Sequence, residues 1–91
     1  MPNVSSPLRV GNAVLIRTVT MIQVGRTEEI GDHEIVLSEA AWVAETTRLK
    51  DCLATGECLE VEPAPDGVIA VGRGAIVDIF NWTHALPLAQ K

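Results

Sequence analysis

Three short stretches hold residue types from which a binding site could be made. Gly72-Arg73-Gly74 sets two glycines around a guanidinium. Glycines let main-chain N–H groups converge on an anion, and arginine adds a planar charged fork, so a phosphate or carboxylate is the ligand this tripeptide would take. The favoured alternative is a tight turn between strands, with Arg73 pairing an acid of its own or a neighbouring chain. It is no Walker loop, which needs a lysine and wider glycine spacing. Trp82-Thr83-His84 offers a stacking surface and a switchable donor, and with Trp42 it could grip a planar ligand such as a nucleobase. Here too a structural reading is favoured, an aromatic plug in the core or a subunit interface, because tryptophan is usually buried. Arg17, with Thr18 and Thr20, lies among apolar residues. It would face a pore, a ligand or an interface acid, or more simply the exposed side of a half-buried strand. Asp78, also between apolar residues, suits Arg17 or Arg73 as an ion-pair partner better than it suits catalysis.

Catalytic patterns are missing from the sequence. There is no Gly-x-Ser-x-Gly elbow, no Cys-His pairing and no histidine-rich cluster. A pair of acids for glycoside chemistry would have little room for a sugar cleft in so small a chain. The expectation is a protein that is not an enzyme and carries no cofactor and no metal. His33 and His84 are the only histidines, and neither has the spacing of a zinc finger. Cys52 and Cys58 could close a small disulfide loop or remain buried thiols. No basic segment followed by a long apolar run opens the sequence, so a cytoplasmic, reducing setting and free thiols are expected.

The elements that must position these residues are bounded by composition. The chain has 91 residues, 47% of them apolar and 21% charged, with a net charge of -5. That supports one domain with a core and argues against disorder. No apolar run approaches the roughly 20 residues needed to cross a bilayer, so no membrane partner is expected. Glu28, Glu29, Asp32, Glu34 and Glu39 form one acidic group without a cation, and Glu57, Glu60, Glu62 and Asp66 form another. Such a surface repels polyanions and disfavours general nucleic-acid binding.

The pattern along the chain predicts mostly strand. Residues 1–9 read as a flexible arm and 10–91 as a single β-barrel domain. Residues 12–24 are rich in β-branched types and read as one bent strand or two, with Gly25 marking a bulge or bend. Gly31-Asp32 is read as a two-residue hairpin turn that uses a positive φ at the glycine. A strand follows over 33–38, with Ile35 and Leu37 on one face. Residues 40–56 are read as a break in the β pattern that holds one short helix. Thr47 is its expected cap, Leu49, Cys52 and Leu53 its buried stripe, and Gly56 its C-cap. Leu59 and Val61 alternate with Glu60 and Glu62 in a half-exposed edge strand, and 63–67 is the strongest turn. The last strand, 75–82, places Val77 and Ile79 on one face and Ile76, Asp78, Phe80 and Trp82 on the other. That second face needs a cover, either a neighbouring subunit or the Trp42 segment with the short helix.

Taken together, strand, Gly25, strand, turn, Asp32 and Ile35-Val36-Leu37 resemble the first motif of Sm-like proteins. Val71-Gly-Arg-Gly-Ala-Ile-Val77 resembles their second, in which an arginine-glycine pair links two strands. The resemblance covers about two thirds of the chain and implies a strongly bent five-stranded barrel that assembles into closed rings by pairing edge strands. Asp32, Arg73 and Gly74 match the family's site positions, whereas His33 and Glu34 stand where its asparagine is expected. The whole sequence is also similar to small bacterial and phage proteins of a domain-of-unknown-function type.

The resulting expectation is a mainly β protein, a small SH3/Sm-like bent barrel of about five strands with one short helix in the 40–56 region. Its expected function is that of a non-enzymatic, ring-like homo-oligomer, phage-related, whose partners are its own copies and a small anionic or nucleotide-like ligand held at inter-subunit sites. Arg73, Gly72, Gly74, Arg17, Trp82, His84 and Trp42 are the expected contacts. The alternative is a ligand-free structural protein of a ring, tube or shell. An Sm-like RNA binder ranks behind both.

Overall fold

A computed structural model describes residues 5–91. They form six antiparallel strands in one open sheet and one short helix: β1 (Ala13–Thr18), β2 (Ile22–Ile30), β3 (Glu34–Glu45), α1 (Leu49–Thr55), β4 (Glu60–Pro63), β5 (Ile69–Gly72) and β6 (Ile76–Asn81). A 3-10 turn, Arg73–Ala75, links β5 to β6. The sheet runs in the order β4-β3-β2-β1-β6, with β5 also paired to β3. No helix among the described residues is long and apolar enough to cross a membrane.

The sheet packs apolar side chains on both faces, which follows from alternation along runs such as Ala13–Ile16 where successive positions are apolar. Val14 and Ile16 of β1 pack with Ile35, Leu37, Ile69 and Val71 in a first cluster. Leu15, between them, packs with Val24, Val43, Cys52, Cys58, Val61 and Trp82 in a second. The helix covers this second cluster. Of the expected stripe Cys52 is buried, with Leu49 and Leu53 partly buried against the same cluster, and Gly56 ends the helix at φ 78° with its N–H on the Cys52 carbonyl. A left-handed terminus favours glycine because a Cβ would crowd the adjacent carbonyl.

β3 organises the sheet. Its first half pairs with β5 (Ile35↔Val71) and its second with β4 (Val43↔Val61). Between them the register against β2 slips, and Glu39 takes φ 47°. Gly25 faces this irregularity. A Cβ there would lie 2.9 Å from the Leu37 Cβ and 3.0 Å from the Ser38 carbonyl oxygen, so only glycine allows β2 and β3 to approach so closely. The expected bulge at Gly25 is therefore present.

Several expectations are corrected. Residues 40–45 continue β3 rather than interrupting it, because strands pair with both sides of that segment. Thr47 does not cap the helix. Arg48 is the N-cap and gives no side-chain bond, while the Thr47 hydroxyl donates to the Thr46 carbonyl. The β2–β3 connection spans residues 31–33, and Gly31 is not at positive φ; its N–H meets the Glu34 carbonyl at 2.9 Å. Leu59 precedes β4 and is exposed. In β6, a register shift opposite Thr18 turns Ile76 to the first cluster with Ile79, and leaves Val77 exposed. Residues 1–4 of the expected arm lie outside the described residues. The rest is tied down: Leu8 packs on the first cluster, and Asn12 Nδ2 donates to the Pro7 carbonyl at 2.6 Å.

Candidate functional site

The seven expected contacts fall in three places. Gly72, Arg73 and Gly74 are exposed at the end of β5 and in the 3-10 turn. Gly72 has an ordinary φ of -66°, and a Cβ at either glycine would meet nothing within 4 Å. The Arg73 N–H bonds the His33 carbonyl at 3.0 Å, and its guanidinium donates to the Gly31 carbonyl at 2.8 Å. Arg73 thus fastens the turn to the β2–β3 loop, and one of the amides an anion would need is already engaged.

Trp82 and His84 lie together over α1. Trp82 is 5% exposed, its indole N–H donates to the Ala85 carbonyl at 3.2 Å, and the His84 ring meets it edge-on at 5.2 Å. His84 Nε2 is 2.7 Å from the Leu53 carbonyl, so that nitrogen carries the proton. The ring also sits where a Cβ on Gly56 would be, 2.6 Å from its Cγ. The aromatic face of β6 is therefore covered by the chain itself, through the helix and the segment after β6. Trp42 is no part of that cover, since it packs on the first cluster.

Arg17 and Trp42 do come together. Both line a pocket of about 610 Å³ at one end of the sheet, with Thr18, Val19, Thr20, Met21 and Ile22 of the β1–β2 turn and Val43, Ala44 and Glu62. That volume lies in the usual range for a small-molecule site. The turn holds its shape through Thr18, whose hydroxyl bonds both the N–H and the carbonyl of Met21 at 3.0 Å. Arg17 forms a two-pronged pair with Asp78, Nε to Oδ1 at 2.8 Å and Nη2 to Oδ2, and its guanidinium lies 6.0 Å from the Phe80 ring centroid. Hydrogen bonding to Arg17 holds the Asp78 carboxyl below its ordinary pKa. Of the two partners expected for Asp78, the structure selects Arg17.

Two residues of this region escaped the sequence reading. Glu62 is exposed and belongs to neither ion pair found among the described residues, Arg17–Asp78 and Arg26–Glu39. Gln23 is buried, and its Oε1 has no hydrogen-bond partner among the described residues. Both stand directly opposite Trp42 on flanking strands (Gln23↔Trp42 and Trp42↔Glu62). Alternation in the Glu60–Glu62 segment marked Glu62 as lying across the strand from Val61, but only register brings it to Trp42.

The two cysteines are not bonded to each other. Both are buried free thiols in the second cluster. Burial first, and then hydrogen bonding to Cys58, pushes the Cys52 thiol up to about 12. It stays protonated at neutral pH, and the thiolate is the reactive form. Among the described residues no group of three or more His, Cys, Asp or Glu side chains gathers as a metal site would require.

Comparison with protein-family models, with curated proteins and with solved structures found no match.

Proposed function

We propose that the chain is a non-enzymatic, self-assembling binding protein that holds a small nucleotide-like ligand in the pocket at the Arg17–Trp42 end of the sheet. The observation that carries this reading is the pocket itself. It brings a half-buried indole, a guanidinium and the polar turn of Thr18 and Thr20 around one cavity of ligand size. Such a site offers stacking through Trp42 and a few directed polar groups.

Assembly is the second part of the proposal. The SH3/Sm-like bent barrel remains the finer reading of the fold. It is supported by the strand order, by the kink at Glu39 where β3 changes partner, and by the Arg73–Ala75 turn joining the last two strands. Trp82 donates to the Ala13 carbonyl, so alternation along β6 turns the main-chain groups of Ile79 away from β1. Arg73 donates to the His33 carbonyl, and the same alternation turns those of Ala70 away from β3. An unpaired edge is a template for another chain. In a ring these two edges of neighbouring copies would meet. Val77, 62% exposed on β6, favours the alternative of a ligand-free structural assembly just as well. RNA binding stays last, because the acidic surface opposes it.

Native mass spectrometry of protein purified without denaturation tests both parts. The expected result is a closed oligomer carrying a discrete extra mass that Trp42→Ala abolishes. A clean oligomer with no added mass, even when nucleotides are supplied, would leave the structural alternative. A monomer at high concentration would remove the assembly.

A further inference from the structure

The pocket's charges argue about which part of a nucleotide it takes. Arg17, the one cation lining it, is already paired with Asp78. Glu62, the one lining acid, forms no ion pair among the described residues. A phosphate entering here would have to compete with Asp78 and approach Glu62. Phosphate recognition is therefore the weaker use of this site, although arginine first suggests it.

Glu62 carries the one charged acceptor among the lining residues. Gln23, Trp42 and Glu62 face one another across β2, β3 and β4, so their side chains share one face of the sheet in a single row. Of this row Trp42 and Glu62 line the pocket, and Gln23 does not. An exposed carboxylate beside an aromatic ring accepts readily. Ile22, Val43 and Met21 add apolar residues to the lining.

The geometry points to a planar base with a donor edge, of guanine type, stacked on Trp42 and donating its ring N–H and amino group to Glu62, with any phosphate directed outward to solvent. A carboxylate matches that edge because it accepts two parallel N–H groups from one side. Adenine presents only its amino group beside a ring acceptor, which the carboxylate repels. This inference rests on the pocket being the ligand site, and it adds which end of the ligand enters.

The test is calorimetric titration of the intact protein with guanosine, guanosine 5′-monophosphate, adenosine 5′-monophosphate and inorganic phosphate. Trp42 fluorescence is followed in a Trp82→Phe background checked for folding. The expected result is that guanosine and its monophosphate bind with similar affinity, about tenfold or more above the adenine nucleotide, and that phosphate alone does not bind. Glu62→Gln should lower guanosine affinity about tenfold and raise that of the adenine nucleotide, because the amide presents one acceptor and one donor, which match adenine's amino group and ring nitrogen. Glu62 is exposed, so this variant is expected to fold as the parent does. Equal binding of the two nucleotides would overturn the guanine assignment and leave the pocket as the ligand site. Phosphate binding as tightly as the nucleotides would overturn the base-first orientation and leave an anion site. Binding of none of the four would overturn both readings.

Discussion

The two tryptophans occupy opposite situations, and the contrast separates structure from function. Trp82 is 5% exposed, its N–H is bonded, and His84 seals it against the helix. Every group around it is used. Trp42 is half-buried on the other cluster and borders a cavity, with the exposed Glu62 directly across from it on β4 and in neither ion pair found among the described residues. Trp82-His84 and Trp42 are equally plausible as stacking platforms in sequence. What distinguishes them is whether the surroundings have already satisfied the ring. The helix end of the molecule is finished as a structure, whereas the pocket end has polar capacity left over.

Truncating both rings would break this comparison most directly. Trp82→Ala is expected to cost about 3–5 kcal/mol, the usual loss for a large buried aromatic side chain. Trp42→Ala should cost less, about 2 kcal/mol, since part of its surface is already in water. Equilibrium unfolding in urea measures both. Equal losses would mean that Trp42 is as much a core residue as Trp82, and the case for a ligand platform would weaken.

The same contrast appears among the glycines. Gly56 combines a positive φ with a Cβ position 2.6 Å from the His84 ring, while Gly72 and Gly74 have open space around them. Gly56→Ala is expected to destabilise by about 1–2 kcal/mol from the backbone alone, with a further cost for displacing His84. Gly72→Ala and Gly74→Ala should lie within about 0.5 kcal/mol of the parent. Adding His84→Ala to Gly56→Ala should recover the steric part, so the double variant should lose less than the sum of the two single losses. Strict additivity would show that His84 does not press on the helix terminus, and that the seal over Trp82 is looser than its geometry.

The helix end was the more legible of the two in sequence, for a physical reason. Its signals are local: a stripe at Leu49, Cys52 and Leu53 and a glycine just past it need only the 3.6-residue period and the left-handed cap. The bulge at Gly25 and the turn before Gly67 are local as well. Residues 40–45 were misread because Ala40 and Ala41 have weak strand preference. Strands on both sides hold that segment in β3, and their pairing joins residues far apart in sequence. The pocket suffers the same difficulty. Arg17, Trp42 and Glu62 come from three strands, and Glu62 and Gln23 join Trp42 only through register. Arg17 and Trp42 were marked as unusual by residue type, but nothing local could say that they share a cavity or that Arg17 would spend its charge on Asp78.

That ion pair gives the smallest expected effect and the sharpest check on the pocket's charge. Asp78 is held below its ordinary pKa by Arg17, so the folded state binds its proton more weakly than the unfolded chain does. The contribution to stability is therefore fully present above the unfolded carboxyl value of about 3.9 and is lost as pH falls through the lower folded value. Asp78→Asn should accordingly be slightly less stable than the parent at neutral pH, and the difference should vanish in strong acid and shrink with added salt, because both side chains are partly exposed. Thermal unfolding of both proteins from neutral pH into acid measures it. The variant also frees the Arg17 guanidinium at the pocket wall without removing it. If Asp78 is what keeps the pocket from taking anions, inorganic phosphate should bind Asp78→Asn and not the parent. Phosphate binding to neither would mean that Glu62 alone is enough to exclude it, which would place the selection against anions beside Trp42 rather than at Arg17.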